Sequence, residues 1–387
     1  MKRLQQALTL MLLAAVLLVS IPAYATAAET KPHRYPVIFI PGIGGTELYN
    51  REELVWVNTW RLLGSQVPVL NLFNLNWLLP LRLKADGSTP YYSGHQIRTG
   101  GILRTGQTNV YGDMLDALAE HGYTENKDLF LFPYDWRRDL TETAGRLQTK
   151  VDAVLRQTGA DKVVLVSHSL GGMIARDYIV RGGAAKVKAT VSMATPYLGS
   201  PMAYRALEYG WDMGLKLPGT KWSALAPKDV KLLTQNYPSV YALAPGKAYW
   251  GAYPSGYLTR SGKALSHSET VQQGIRPHNP ALTDKAVNYS DRLLDGSNHG
   301  VMQFVLAGKG KQTVVGFTET RDWLGFTHKT ERYTDGDEIV PLKSAVPGAA
   351  IGPVEETAYA SEAHTFFTRS PEVQQKVSAW LFKIENH

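Results

Sequence analysis

KVVLVSHSLGGMIARDYIV, residues 162–180, holds a strand signal and a helix signal with no loop between them. Lys162 to Val166 is a short run of branched apolar residues, the pattern of a strand covered on both faces. From Ser169 to Arg181 the pattern is helical, and Gly182-Gly183 stops it. Ser167-His168-Ser169-Leu170-Gly171-Gly172 makes the turn. A strand that bends at once into a helix crowds the positions two before and two after the apex. Ser167 and Gly171 are both small. The usual form of such an elbow is Gly-x-Ser-x-Gly, with a serine nucleophile at the apex; Ser167 replaces the first glycine. Ser169 is the candidate nucleophile. The plainer alternative, a surface Ser-Gly turn, does not account for the strand before and the helix after.

The same alternation extends outward. Tyr35 to Ile40, Asp128 to Phe132, Lys188 to Met193 and Gln312 to Phe317 read as four further strands, the last counted as the fifth in chain order. Helical patterns cover Tyr111 to His121, Leu140 to Gln157 and Pro371 to Ile384. Strands alternating with helices predict an α/β fold with a mostly parallel sheet flanked by helices. Two stretches break the alternation, about 50–105 and about 201–310. We read them as lid and cap insertions of one domain spanning 33–387.

Residues 1–28 have the form of an export signal: Lys2 and Arg3, an apolar run from Leu8 to Ile21, and Ala23-Tyr24-Ala25 as a cleavage site. The apolar run is short for a bilayer span. A secreted, extracellular protein is expected, with a bacterial-type signal. The chain has no cysteine, which removes thiol nucleophiles, cysteine-ligated metals and disulfides. The net charge of +7 comes from scattered basic residues, so nucleic acid is not an expected partner. No metal and no cofactor is expected.

A serine hydroxyl needs an imidazole to take its proton and a carboxylate to orient that imidazole. In an elbow fold the chain order is serine, acid, histidine. His364 precedes the last helix and is the candidate base; His387 is terminal, and His168, next to the apex, reads as packing. The acid is expected in Asp335-Gly336-Asp337-Glu338-Ile339-Val340-Pro341, with Asp337 ahead of Asp335 and Asp322 further behind. A calcium loop is the rival reading of this cluster, but the spaced ligands and distal Glu of an EF-hand are missing. Two backbone N–H groups should hold the oxyanion: Leu170, after the nucleophile, and Ile43, in Pro41-Gly42-Ile43-Gly44-Gly45-Thr46. A phosphate loop is excluded, since no Gly-Lys-Ser/Thr follows.

Six stretches together resemble the lecithin:cholesterol acyltransferase family, which includes related phospholipases. They are PGIGGTEL (41–48), FPYDWRRDL (132–140), VSHSLGGMIARDY (166–178), ATPYLGSP (194–201), YPSVYALAP (237–245) and DGDEIVPLKSA (335–345). The resemblance implies an α/β-hydrolase core and a triad of Ser169, Asp337 and His364, with an oxyanion donor at Ile43. The acid loop departs from the family's usual residues after its second Asp, so Asp335 stays open beside Asp337. Within FPYDWRRDL, Asp135 and Arg137 read as a buried ion pair bracing the loop, with Trp136 in the core.

Leu54 to Leu83 is apolar, carries Trp56, Trp60, Phe73 and Trp77, and would be sticky if exposed. A lid over an acyl-chain groove explains it, and Trp56, Trp60 and Tyr197 are candidate substrate contacts. The expected partner is a lipid or acyl ester, with peripheral contact to membrane or lipid surfaces. Three functions follow: a lipase or esterase discharging an acyl-Ser169 intermediate to water; an O-acyltransferase passing it to an alcohol; and a non-catalytic lipid-binding protein. The complete set of Ser, Asp and His argues against the third, and amide hydrolysis is weaker than ester chemistry.

Overall fold

A computed structural model describes residues 34–58, 75–211 and 227–387. Six strands form its central sheet: β1 (Val37–Ile40), β2 (Leu129–Leu131), β3 (Val163–His168), β4 (Val187–Met193), β5 (Met302–Gly308) and β6 (Glu356–Ala360). Their spatial order is β6-β5-β4-β3-β1-β2, and every neighbouring pair is parallel.

Side chains alternate along each strand, so the sheet feeds two cores. Ile38, Ile40, Val163 and Leu165 enter one; Val37, Phe39, Val164 and Val166 enter the other. Four helices cover the faces: α1 (Gly112–Glu120), α2 (Leu140–Thr158), α3 (Leu170–Val180) and α4 (Pro371–Glu385). From α2 and α3, Leu147, Val151, Met173 and Ile174 fill the first core. From α1 and α4, Met114, Leu118, Val377 and Trp380 fill the second. Helix α2 starts where the Asp139 carboxylate accepts the Thr141 and Glu142 N–H groups, and stops where Gly159 turns left-handed at φ 70°.

The helices that follow the adjacent strands β1 and β3 lie on opposite faces. The carboxyl ends of strands at such a divergence are where ligands bind in open α/β sheets.

The structure corrects the strand count. Gln312–Phe317 belongs to Lys311–Arg321, which pairs antiparallel with Thr327–Gly336 in a separate four-stranded sheet, with Leu258–Arg260 and Lys263–Ala264 beside it. The fifth central strand is β5, inside the stretch read as cap, so that insertion ends before Met302. Both runs are apolar; what separates them is the tertiary partner, β4 for one and a hairpin for the other. Strand β6 was not foreseen, because its sequence, Glu-Thr-Ala-Tyr-Ala, is half polar and most of it is only partly covered. The insertion 50–105 also holds order: Glu53–Trp56 and Ile97–Ile102 flank Thr46–Asn50 in a three-stranded antiparallel sheet. The export-signal residues and Trp60 lie outside the described residues.

Candidate active site

Ser169 stands at the carboxyl end of β3 with φ 53° and ψ −125°, left-handed backbone that a residue with a side chain rarely adopts. Its N–H is tied to the Met193 carbonyl on β4 (2.8 Å). The bend brings α3 so close to β1 that a Cβ on Gly171 would stand 2.5 Å from the Ile40 carbonyl oxygen and 2.6 Å from that of Pro41. Glycine is required there by that contact.

The apex meets its partners directly. Ser169 Oγ lies 2.9 Å from His364 Nε2, and His364 Nδ1 lies 2.8 Å from Asp337 Oδ2. His364 opens a short 3₁₀ turn after β6 (His364–Arg369), and its N–H donates to the Asp337 carbonyl (2.9 Å). The Asp337 carboxylate is fully buried; its other oxygen accepts the N–H groups of Ile339 (3.1 Å) and Val340 (2.7 Å). A carboxylate so held is fixed as an acceptor toward the imidazole, which puts the His364 proton on Nδ1 and leaves Nε2 to accept from Ser169. The last residue of β5 makes room for this: a Cβ on Gly308 would run into the Asp337 side chain. Asp335 points elsewhere, toward the Gly310 N–H at the surface, and Asp322 binds His328 at a hairpin end.

The loop after β1 lies against the apex. Gly42 N–H donates to the Tyr111 hydroxyl (2.8 Å), and the next backbone N–H in the chain is that of Ile43. The Gly42 carbonyl accepts from Gly45 N–H (3.1 Å), with Gly44 at φ 73°, closing a tight turn over Ile43. Leu170 is the first residue of α3, where no intrahelical acceptor exists for its N–H.

Two of the candidate substrate contacts are placed elsewhere. Trp56 is buried under the glycine loop; its Nε1–H donates to the Gly44 carbonyl (2.7 Å) and its ring packs on Trp136. Tyr197 packs with Val305 and Ile351, its hydroxyl near Ser192 and Thr195. Both rings are buried, and the Trp56 N–H is satisfied inside the protein.

His168 is more than packing. Tyr111 accepts from Gly42, so its own hydroxyl proton is directed at His168 Nδ1, 3.1 Å away. The His168 ring is 4.8 Å from that of His364, and burial, then the neighbouring His364, push its pKa well below the ordinary value. A neutral His168 thus links the glycine loop to the triad imidazole. Tyr111 was missed because it sits at the start of α1, far from the motif in sequence. The His-Ser adjacency at 168–169 was the available signal for its partner.

A mostly parallel sheet, a strained serine elbow and a Ser-His-Asp array define an α/β-hydrolase. The sequence model of the lecithin:cholesterol acyltransferase family matches residues 87–296, and the chain belongs to that family. The matched span includes Ser169; Asp337 and His364 lie beyond it. Among curated relatives, phospholipid:diacylglycerol acyltransferase 1 of Arabidopsis thaliana is 22% identical, over 71% of this chain and 48% of its own length. Human lysosomal phospholipase A and acyltransferase is 26% identical over 80% of each chain. The chain spans about half the length of the first curated relatives it matches. Among solved structures, the Tle4-Tli4 complex shares the fold, with a TM-score of 0.63 and 16% identity over 91% of this chain and 98% of the other.

Proposed function

We propose that this chain is a serine ester hydrolase or O-acyltransferase acting on lipid acyl esters through an acyl-Ser169 intermediate. The observation that carries the reading is His364, which bridges Ser169 Oγ at 2.9 Å and Asp337 Oδ2 at 2.8 Å. Lipid as substrate rests on the family and on the printed names of the relatives, phospholipase and acyltransferase among them.

The chemistry follows from the bonds in place. His364 Nε2 takes the Ser169 proton as Oγ attacks the ester carbonyl, and Asp337 stabilises the imidazolium that forms. The carbonyl oxygen becomes an oxyanion, held by the N–H groups of Ile43 and Leu170; one such donor is worth roughly 3–4 kcal/mol. Nε2–H then protonates the departing alcohol, leaving Ser169 acylated. A second oxygen nucleophile, deprotonated by the same nitrogen, releases the acyl group. Water gives a fatty acid; an alcohol gives a new ester. Secretion is part of this reading and rests on residues 1–28 alone.

The test is product analysis on long-chain phospholipid and triglyceride, with and without a primary alcohol. Free fatty acid in both conditions assigns hydrolysis; alkyl ester formed with the alcohol assigns transfer. Ser169→Ala should lower turnover about a millionfold with the fold retained. Undiminished activity in that variant would sink the assignment.

A further inference from the structure

Large apolar side chains are exposed together at the far end of the hairpin that precedes Asp337. Trp323 is 91% exposed, Leu324 58% and Phe326 65%, all within four residues. They cap the antiparallel pair Lys311–Arg321 and Thr327–Gly336, whose ladder closes at Arg321 and Thr327. Water-facing side chains of this size and density mark a surface meant to be covered.

The tip is built for an apolar medium in its backbone as well. Leu324 N–H and Phe326 N–H both donate to Asp322 Oδ1 (3.0 and 2.9 Å). Gly325 N–H donates to the Asp322 carbonyl (3.0 Å), and Asp322 N–H to the Phe326 carbonyl (3.1 Å). A backbone entering lipid must satisfy its polar groups internally, and one aspartate does this for most of the turn. Asp322 is also the single acid between residues 320 and 330, and its second oxygen is engaged by the His328 ring (2.8 Å). Arg321 is the exposed cation at the neck; Lys329 is half-buried, its ammonium over the Tyr209 ring and 3.7 Å from Glu331.

The occupant follows from size and shape. Three such side chains bury at most about 600 Å² on this side, below the roughly 800 Å² per partner of a standard protein interface. A convex tip of Trp, Leu and Phe with an exposed arginine, Arg321, at its base matches instead the boundary between lipid headgroups and acyl chains. The hairpin is stiff: Phe317–Glu319 also pairs with Leu258–Arg260, and Glu319 binds Arg260 Nε (2.7 Å). It leaves the sheet at the carboxyl end of β5, where the triad lies, and its returning strand ends one residue before Asp337. Nine residue steps of ladder place the tip about 30 Å from that acid. No helix among the described residues is long and apolar enough to cross a membrane.

We infer that the Asp322–Phe326 tip is a peripheral anchor that docks the protein on a phospholipid surface. The inference rests on the reading of this chain as acting on lipid esters. It is tested by co-sedimentation with phosphatidylcholine vesicles, with and without phosphatidylglycerol, in a Ser169→Ala background so that binding is read without turnover. Combined Trp323→Ser, Leu324→Ser and Phe326→Ser should weaken vesicle binding about tenfold or more. The same triple change in the active protein should leave hydrolysis of a soluble short-chain ester within about twofold, since the tip is remote from the triad. Independently, Trp323→Cys gives the chain its single cysteine; an NBD dye there should shift to the blue when vesicles are added. Unchanged vesicle binding, or a dye indifferent to lipid, overturns the anchor. A native dimer that the triple change splits, with vesicle binding intact, overturns it in favour of a second copy of this chain. If the anchor is right and the lipid-ester reading wrong, binding falls in the triple variant while lipid esters are never turned over.

Discussion

Two carboxylates sit beyond the carboxyl ends of the central strands, Asp337 fully buried and Asp135 partly covered, and they are held by different bases. Asp135, after β2, is gripped by Arg137 through Nε (2.8 Å) and Nη2 (2.6 Å), and Arg137 Nη1 donates on to the Leu81 carbonyl (2.8 Å). Burial works against the Arg137 charge, but Asp135 outweighs it and holds the guanidinium above its ordinary pKa. Such a pair never exchanges its proton. Asp337 faces an imidazole instead, with Ser169 on the ring's far side. The first arrangement can only brace; the second has the geometry to pass a proton. Pairing alone does not tell the two apart; the identity of the base does.

The sharpest test of the contrast is on the relay side. Asp337→Asn keeps the shape of the site but favours the wrong His364 tautomer, and kcat should fall about ten thousandfold with the fold retained. Asp335→Asn should stay within about tenfold, because its carboxylate serves Gly310 at the surface. Equal losses in the two variants would erase the distinction between the acids.

On the brace side the loss should appear in stability. Arg137 is 1% exposed and Asp135 15%, so Arg137→Ala leaves a mostly covered carboxylate without its partner, a cost of up to about 3 kcal/mol. Urea titration followed by tryptophan fluorescence should show the lowered midpoint, while kcat per folded molecule stays within a few-fold. A folded variant of native stability with no activity would make this pair part of the relay.

The comparison also marks what sequence could show. Ser169, Asp337 and His364 were legible because the elbow fixes its own context and the fold fixes the chain order of its partners. Asp135 and Arg137 were legible as a pair because they lie two residues apart. The long-range supports were not. Nothing local distinguishes Met302–Gly308, a buried central strand, from Lys311–Arg321, half of a hairpin, since each is apolar enough to be either. That Trp56 and Tyr197 are buried was not legible either, because an aromatic ring in an apolar stretch does not announce how deeply it packs. Gly308 gave no signal at all; its need arises from Asp337, which arrives from 29 positions later.

The smallest expected effect concerns His168, which stands between Tyr111 and His364. It carries no charge in the fold, because burial and then His364 hold its pKa well below the 6.5 of a free imidazole. Below pH 6.5 the unfolded chain takes up a proton at this position and the folded chain does not. Stability from His168 is therefore present above pH 6.5 and is lost as pH falls, by up to about 1.4 kcal/mol per pH unit. His168→Gln removes that proton linkage. At pH 8 the variant should be about 1 kcal/mol less stable than the parent, for the lost bond to Tyr111 and the lost ring contact. Between pH 6.5 and 5 the gap should close and then reverse, as the parent weakens and the variant does not. Urea midpoints at pH 8, 6.5 and 5 measure this; a gap that stays constant means His168 is charged in the fold, and a charged ring there would press on His364 and unsettle the relay it supports.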